Sequence, residues 1–347
     1  MRIQMSRSEK QNSVGELRQA IEEMPVSQIR EIANDSLGLE GMIPLWFGEP
    51  DVSTPEFICD SAIRAMREGQ TFYTPNRGIP ELREAIASYT ASLYSVPMTM
   101  ERVTVMASGM SGIMVSHQLL VEPGTNVVCP IPLWPNIRGT VDILGGNWRP
   151  VPLQLKNKSW HLDLDHLFDQ VDNKTRVIFI NSPNNPTGWT MSSDQQNVVL
   201  DFCRTRGIWL VADEVYARIV YGMNHAPSFL EHADPEDRLI VINSFSKPWA
   251  MTGWRLGWLI TPQRFGKTLE NMNEFNFAGA ATFTQFAGVT ALKDGENFIA
   301  EQIARYQQAR DLVYERLSNN SVIRMGWPEG AFSVSYTHLT LPTSDLE

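Results

Sequence analysis

Five short apolar runs, at residues 103–107, 126–129, 177–180, 208–212 and 239–242, constrain this chain more than any other feature. Each is short and bounded by turn formers, which reads as a buried strand. Stretches with helical patterning lie between several of them, clearest at 111–120, 135–144 and 192–206. Apolar strands separated by helices predict a mainly parallel sheet with both faces covered. Residues 258–260 follow Lys247 too closely for a helical crossover, so they predict an antiparallel partner strand.

The rest of the chain fits around that sheet. Residues 1–13 read as an arm, and 14–35 carry helical patterning interrupted at Pro25. An extended apolar segment follows at 43–51, then a helix at 55–68 with proline at its start. Residues 73–80 form a loop before an amphipathic helix at 81–94, and 265–319 are helical again. Within that last region 291–317 predict one long helix joining two lobes.

Composition narrows the function. A chain of 347 residues with 43% hydrophobic content can bury one large domain and a smaller one, or two of moderate size. A net charge of −10 argues against nucleic acid as the main partner. Cys59, Cys129 and Cys203 show neither metal-ligand spacing nor a disulfide framework, so no metal is expected and a reducing, cytoplasmic setting fits. Residues 1–40 are polar and charged, without the apolar core of a signal peptide, and no stretch has the length of a membrane span.

A mainly parallel sheet offers its ligand sites at the carboxyl ends of its strands. Lys247 stands there, in Ser244-Phe245-Ser246-Lys247, with Arg255 nearby in Met251-Thr252-Gly253-Trp254-Arg255-Leu256-Gly257. A long amine on a rigid base suits covalent work such as a Schiff base with a carbonyl. Ala107-Ser108-Gly109-Met110-Ser111-Gly112 sits where a strand yields to a helix, so its free amides face any bound dianion; the same pattern also makes an ordinary turn. Ser244 and Arg255 add a hydroxyl and a forked cation suited to phosphate. Asp213, in Val211-Ala212-Asp213-Glu214-Val215-Tyr216, is costly to bury unpaired; it suits a ring nitrogen or a helix N-cap. Glu214 reads as a solvated neighbour. Asn181-Ser182-Pro183-Asn184-Asn185-Pro186-Thr187-Gly188 is a run of turn formers. Trp134, in Pro132-Leu133-Trp134-Pro135, suits either a stacking ring or the core.

Taken together, these motifs resemble the class I and II aminotransferases, in order and spacing, from Pro44 to about Phe332. The resemblance implies pyridoxal 5'-phosphate as cofactor, held through Lys247, and an α/β fold. That fold has a mainly parallel, seven-stranded-type sheet sandwiched by helices and a smaller α+β domain built from both chain ends. It further implies that Ser108, Gly109, Met110, Ser244 and Arg255 surround the phosphate, with Tyr73 reaching it from the other subunit of a homodimer. Asp213 would hold the ring nitrogen protonated, Tyr216 and Asn185 would bond the phenolic oxygen, and Trp134 would stack on the ring. Gly48, Trp134 and Asn185 would also meet the substrates, an amino acid and a 2-oxo acid. Catalysis would fall to Lys247, Asp213 and Tyr216. A β-lyase on the same scaffold, or a cofactor-sensing regulatory module, are the alternatives.

The implied domains are 1–47 (arm and part of the small domain), 48–280 (cofactor-binding) and 281–332 (incomplete small domain). Trp327-Pro328-Glu329-Gly330-Ala331-Phe332 fits the family, whereas 333–347 resemble a translated sequencing adapter and read as a non-native tail, the alternative being an unusual but genuine terminus. No arginine follows Arg324, so the family's arginine clamp for the substrate carboxylate has no counterpart. A chain of this kind would keep the cofactor cradle and bind amino acids poorly.

Overall fold

A computed structural model of the chain describes residues 17–338. Its centre is a seven-stranded sheet of order β1-β9-β8-β7-β6-β2-β3. The strands are β1 (Val103–Met106), β2 (Asn126–Ile131), β3 (Asn147–Pro152), β6 (Thr175–Asn181), β7 (Trp209–Asp213), β8 (Leu239–Ser244) and β9 (Gly257–Ile260). Only β9 runs against its neighbours, pairing antiparallel with both β8 and β1. Residues 258–260 thus form the antiparallel partner that their spacing implied, and the five apolar runs are all strands. The sequence reading missed β3, an edge strand in which only Val151 is buried and whose residues include Arg149 and two prolines.

Alternation along the central strands divides the core in two. Val128, Ile178, Leu210, Val241 and Ile260 face one cluster; Val127, Phe179, Val211, Ile240 and Leu259 face the other. The first face is covered by α3 (Glu56–Arg67), α4 (Pro80–Tyr94), α7 (Leu164–Asp169), α8 (Ser193–Arg206) and α10 (Thr282–Asp294). The second is covered by α5 (Gly109–Leu120), α6 (Asn136–Ile143) and α9 (Gly266–Asn276). Each fully buried aliphatic side chain contributes about 1.5–3 kcal/mol, which explains why the middles of the central strands are apolar on both faces.

Outside the sheet, α1 (Gln19–Glu22) and α2 (Gln28–Asp35) flank the Pro25 interruption. A hairpin is made by β4 (Gln154–Lys156) and β5 (Ser159–His161), and a second two-stranded sheet by β10 (Ile323–Met325) and β11 (Tyr336–His338). The expectations for residues 1–16 and 339–347 lie outside the described residues. One expectation is corrected. The helix expected over 291–317 is two helices, α10 and α11 (Glu296–Ser318), broken at Gly295. A Cβ there would stand 2.4 Å from the Ala291 carbonyl oxygen and 2.5 Å from Trp249 Nε1, so the chain turns where only glycine fits the close approach.

Candidate active site

Register brings the functional side chains to one edge. Asn181 at the end of β6 pairs with Asp213 at the end of β7, and Asp213 pairs with Ile242 of β8. Two residues further along β8, Ser244 pairs with Gly257 of β9. The chain then turns, Phe245 N donating to Leu256 O at 3.1 Å, and delivers Lys247 over the strand ends. Its Nζ donates to the Gly48 carbonyl from the extended 43–51 segment. Burial lowers the Lys247 amine to about 8, against the pull of Asp213 and Glu49, which favour its charge; Arg255 opposes it.

Asp213 is buried, and burial pushes its carboxyl up to about 7. The carboxylate accepts a hydrogen bond from Val215 N at 3.2 Å. Its main-chain oxygen is held by Ser182 N and by Asn181 Nδ2, both at 3.1 Å. Asn181 Oδ1 in turn accepts from Asn185 N at 2.8 Å, so one asparagine fixes the ends of two functional segments. Asn181 is a site residue that sequence reasoning passed over, although it opens the asparagine-rich run. Trp134 N donates to Asn185 O at 3.0 Å, which ties the 130–136 loop to the same place. Asn185 also hydrogen-bonds the Tyr216 hydroxyl, whose titration burial pushes up. A Cβ on Gly48 would lie 3.4 Å from that hydroxyl and 3.8 Å from Asn185 Nδ2, so the three converge on one slot.

At the start of α5, Ser108 and Ser111 cap one another: Ser111 N donates to Ser108 Oγ at 2.9 Å, and Ser108 N to Ser111 Oγ at 2.8 Å. The amides of Gly109 and Met110 donate to no acceptor among the described residues. Two bare N–H groups at the positive end of a 12-residue helix suit an anion. A Cβ on Gly257 would stand 2.8 Å from Gly109 N, and one on Gly109 3.2 Å from Ser244 Cβ, so these glycines let the backbones close around the spot. Ser244 Oγ donates to Ser246 Oγ at 3.0 Å beside them. Arg255 is exposed and donates to Thr252 O at 2.7 Å.

Glu214 corrects the sequence reading. It is buried, not solvated: Ser228 Oγ donates to it at 2.7 Å and Phe229 N at 3.1 Å. Burial pushes it up to about 8. Tyr73 lies apart from the slot of its own chain. It is 94% exposed and lines a cavity of about 680 Å³ with Arg77, Arg83, Glu270 and Glu274.

Comparison with known proteins agrees with this geometry. The family model "Aminotransferase class I and II" matches residues 40–340. An aspartate aminotransferase of Pyrococcus horikoshii is 35% identical over 312 residues, covering 89% of this chain and 78% of that protein. A probable aspartate/prephenate aminotransferase of Aquifex aeolicus is 34% identical, covering 83% and 73%. The crystal structure of aspartate aminotransferase from Thermotoga maritima superposes with a TM-score of 0.84 at 29% identity, covering 91% of this chain and 84% of that one. Likeness of that extent, in sequence and in fold, decides the family: this chain belongs to the class I and II aminotransferases, enzymes that work with pyridoxal phosphate.

Proposed function

We propose that Lys247 is the amine that holds the cofactor, and that the strand-end residues around it divide the work of transamination. The residues fit the group. Bare amides at Gly109 and Met110 suit its phosphate, with Ser108 and Ser244 beside them, and Arg255 would add its guanidinium. The buried carboxyl of Asp213 suits a protonated ring nitrogen. The paired Tyr216 hydroxyl and Asn185 amide suit the phenolic oxygen, and Trp134 stands on the loop bonded to Asn185. When bound, pyridoxal phosphate supplies an aldehyde that condenses with amines and a ring that accepts the electron pair left by a departing α-proton.

The protein supplies position and proton transfer. An amine lowered to about 8 has a substantial neutral fraction near neutral pH, so a free Lys247 takes the α-proton at Nζ. Asp213, buried and short of counter-charge, ionises readily opposite a cation and holds it there. Tyr216 and Asn185 fix the orientation, and Gly48 leaves room for substrate.

We further assign the substrates as an amino acid and a 2-oxo acid. Aspartate is the first donor to try, because the Pyrococcus and Aquifex relatives carry that name. A cytoplasmic setting is supported by three free cysteines, two of them buried, and no helix among the described residues is long and apolar enough to cross a membrane. A homodimer is supported by the exposed aromatic face at Tyr73, described below.

The observation that carries this reading is the shared register that sets Asp213 and the Lys247 turn on adjacent strand ends. Incubation with aspartate and 2-oxoglutarate tests it. Oxaloacetate and glutamate formed in equal amounts are expected; pyruvate and ammonia formed instead from a β-substituted amino acid would replace it with elimination.

A further inference from the structure

Phe332 was read from the sequence only as a landmark, yet it stands in the slot. The Lys247 Nζ lies 5.6 Å from the centroid of the Phe332 ring and 5.7 Å from that of Tyr216, over both rings. The two rings meet edge to face, 5.3 Å apart at 83°. Tyr306 of α11 backs Phe332 at 5.4 Å. A Cβ on Gly48 would come 3.7 Å from Phe332 Cε2, so the pair closes down on the glycine whose carbonyl the lysine bonds.

A distant part of the chain delivers that ring. The segment after β10 docks on the asparagine-rich loop, Glu329 N and Gly330 N both donating to Gly188 O at 2.9 Å. Ala331 N donates to Ile219 O at 2.8 Å, and Tyr221 hydroxyl to Ala331 O at 2.6 Å. Gly188 permits this because a Cβ there would meet Pro328 at 2.6 Å. These four hydrogen bonds hold Phe332 against an amine 85 residues earlier.

We propose that Phe332 is a positioning residue for Lys247: with Tyr216 it forms an aromatic clamp that holds the free ammonium at the Gly48 carbonyl. A ring face attracts a cation, and more strongly when both are desolvated. The other charged groups acting on the amine are Asp213 and Glu49, which favour its charge, and Arg255, which opposes it. None of these supplies the contact that the two rings make. In the cofactor-free chain the clamp favours the charged amine and keeps it aimed at the Gly48 carbonyl. It rests on the reading of Lys247 as the cofactor amine.

The test uses the full chain stripped of cofactor. Reaction of Lys247 with an amine-acylating reagent is followed against pH, site by site, by mass spectrometry. The parent is compared with Phe332→Leu and with pentafluorophenylalanine placed at position 332, which keeps the ring's shape and removes its attraction for cations. Both changes should lower the Lys247 midpoint by about half to one pH unit, and Phe332→Trp should not lower it. An unchanged midpoint with the fluorinated ring overturns the clamp, even if Phe332→Leu fails to fold. In a separate arm, borohydride with pyridoxal phosphate should fix label on Lys247 of every variant. Label retained there while the midpoints stay put defeats the clamp alone; a parent that takes no label at Lys247 defeats the functional reading with it.

Discussion

At the carboxyl edge of the sheet Asp213, Ser244 and Tyr216 are buried, and Lys247 is held between Gly48 and two rings. At the 72–76 loop the terms are reversed: Tyr73 is 94% exposed, Phe72 83%, and Phe275 on neighbouring α9 87%. The loop itself is firmly placed. Asn273 of α9 donates to Asn76 O at 2.7 Å, and Thr282 Oγ1 to Phe72 O at 2.7 Å. Large aromatic rings fixed in solvent are a costly arrangement, and such patches mark interaction surfaces. One chain thus builds the lysine, the carboxyl and the amide nest for itself, while its Tyr73 face stands ready for another surface. That contrast supports the proposal that a second copy covers Tyr73 and receives it beside the phosphate.

The contrast is broken most sharply at its buried end. Lys247→Ala should lower kcat/KM by about 10⁴-fold or more, because both the covalent amine and the proton carrier go. A normal steady-state rate would end the assignment.

Asp213→Asn should keep the fold and lower kcat by about 10²- to 10³-fold, since only the charge opposite the ring nitrogen is lost. The same variant reads the electrostatics. Burial raises Asp213 from 3.8 to about 7 and Glu214 from 4.5 to about 8. A pKa raised on folding gives stability that is whole below the unfolded value and is lost as pH climbs through the folded one. The cofactor-free chain should therefore weaken between about pH 5 and 8, by up to about 1.4 kcal/mol per pH unit for each group. Urea denaturation should show Asp213→Asn gaining on the parent as pH rises. A parent whose stability grows over that window would contradict the burial of both carboxyls.

At the exposed end, Tyr73→Ala should weaken retention of pyridoxal phosphate by about tenfold, the loss of about one charge-assisted hydrogen bond. Dilution with absorbance measures it, and sedimentation should show the parent as a dimer. A stable monomer with tight cofactor would show that the Tyr73 face serves something else. The smallest change is expected from Gly48→Ala. Its methyl meets neighbours at ordinary contact distance, 3.4 Å or more, so stability should hardly move while KM rises several-fold. A large loss of stability would mean that the slot is packed shut.

Much of the buried end was legible because its strands have apolar middles and end in chemically marked turns. Lys247, Asp213, Asn185 and Ser108 could be placed from that alone, and the family pattern supplied their roles. Glu214 could not, because a carboxylate beside a strand end looks solvated until the Ser228 turn folds back over it. Phe332 and Asn181 escaped for a similar reason: their partners lie far along the chain or inside a run that reads only as turn. The break at Gly295 was hidden because helical periodicity continues across it, and Trp249, which crowds that position, lies far back along the chain.

Covalent trapping bears most directly on the whole account. Protein loaded with pyridoxal phosphate and treated with borohydride, then digested and mapped by mass spectrometry, should carry the pyridoxyl group on Lys247. A label on another lysine, or none on Lys247, would contradict the assignment of this strand-end amine as the centre of the site.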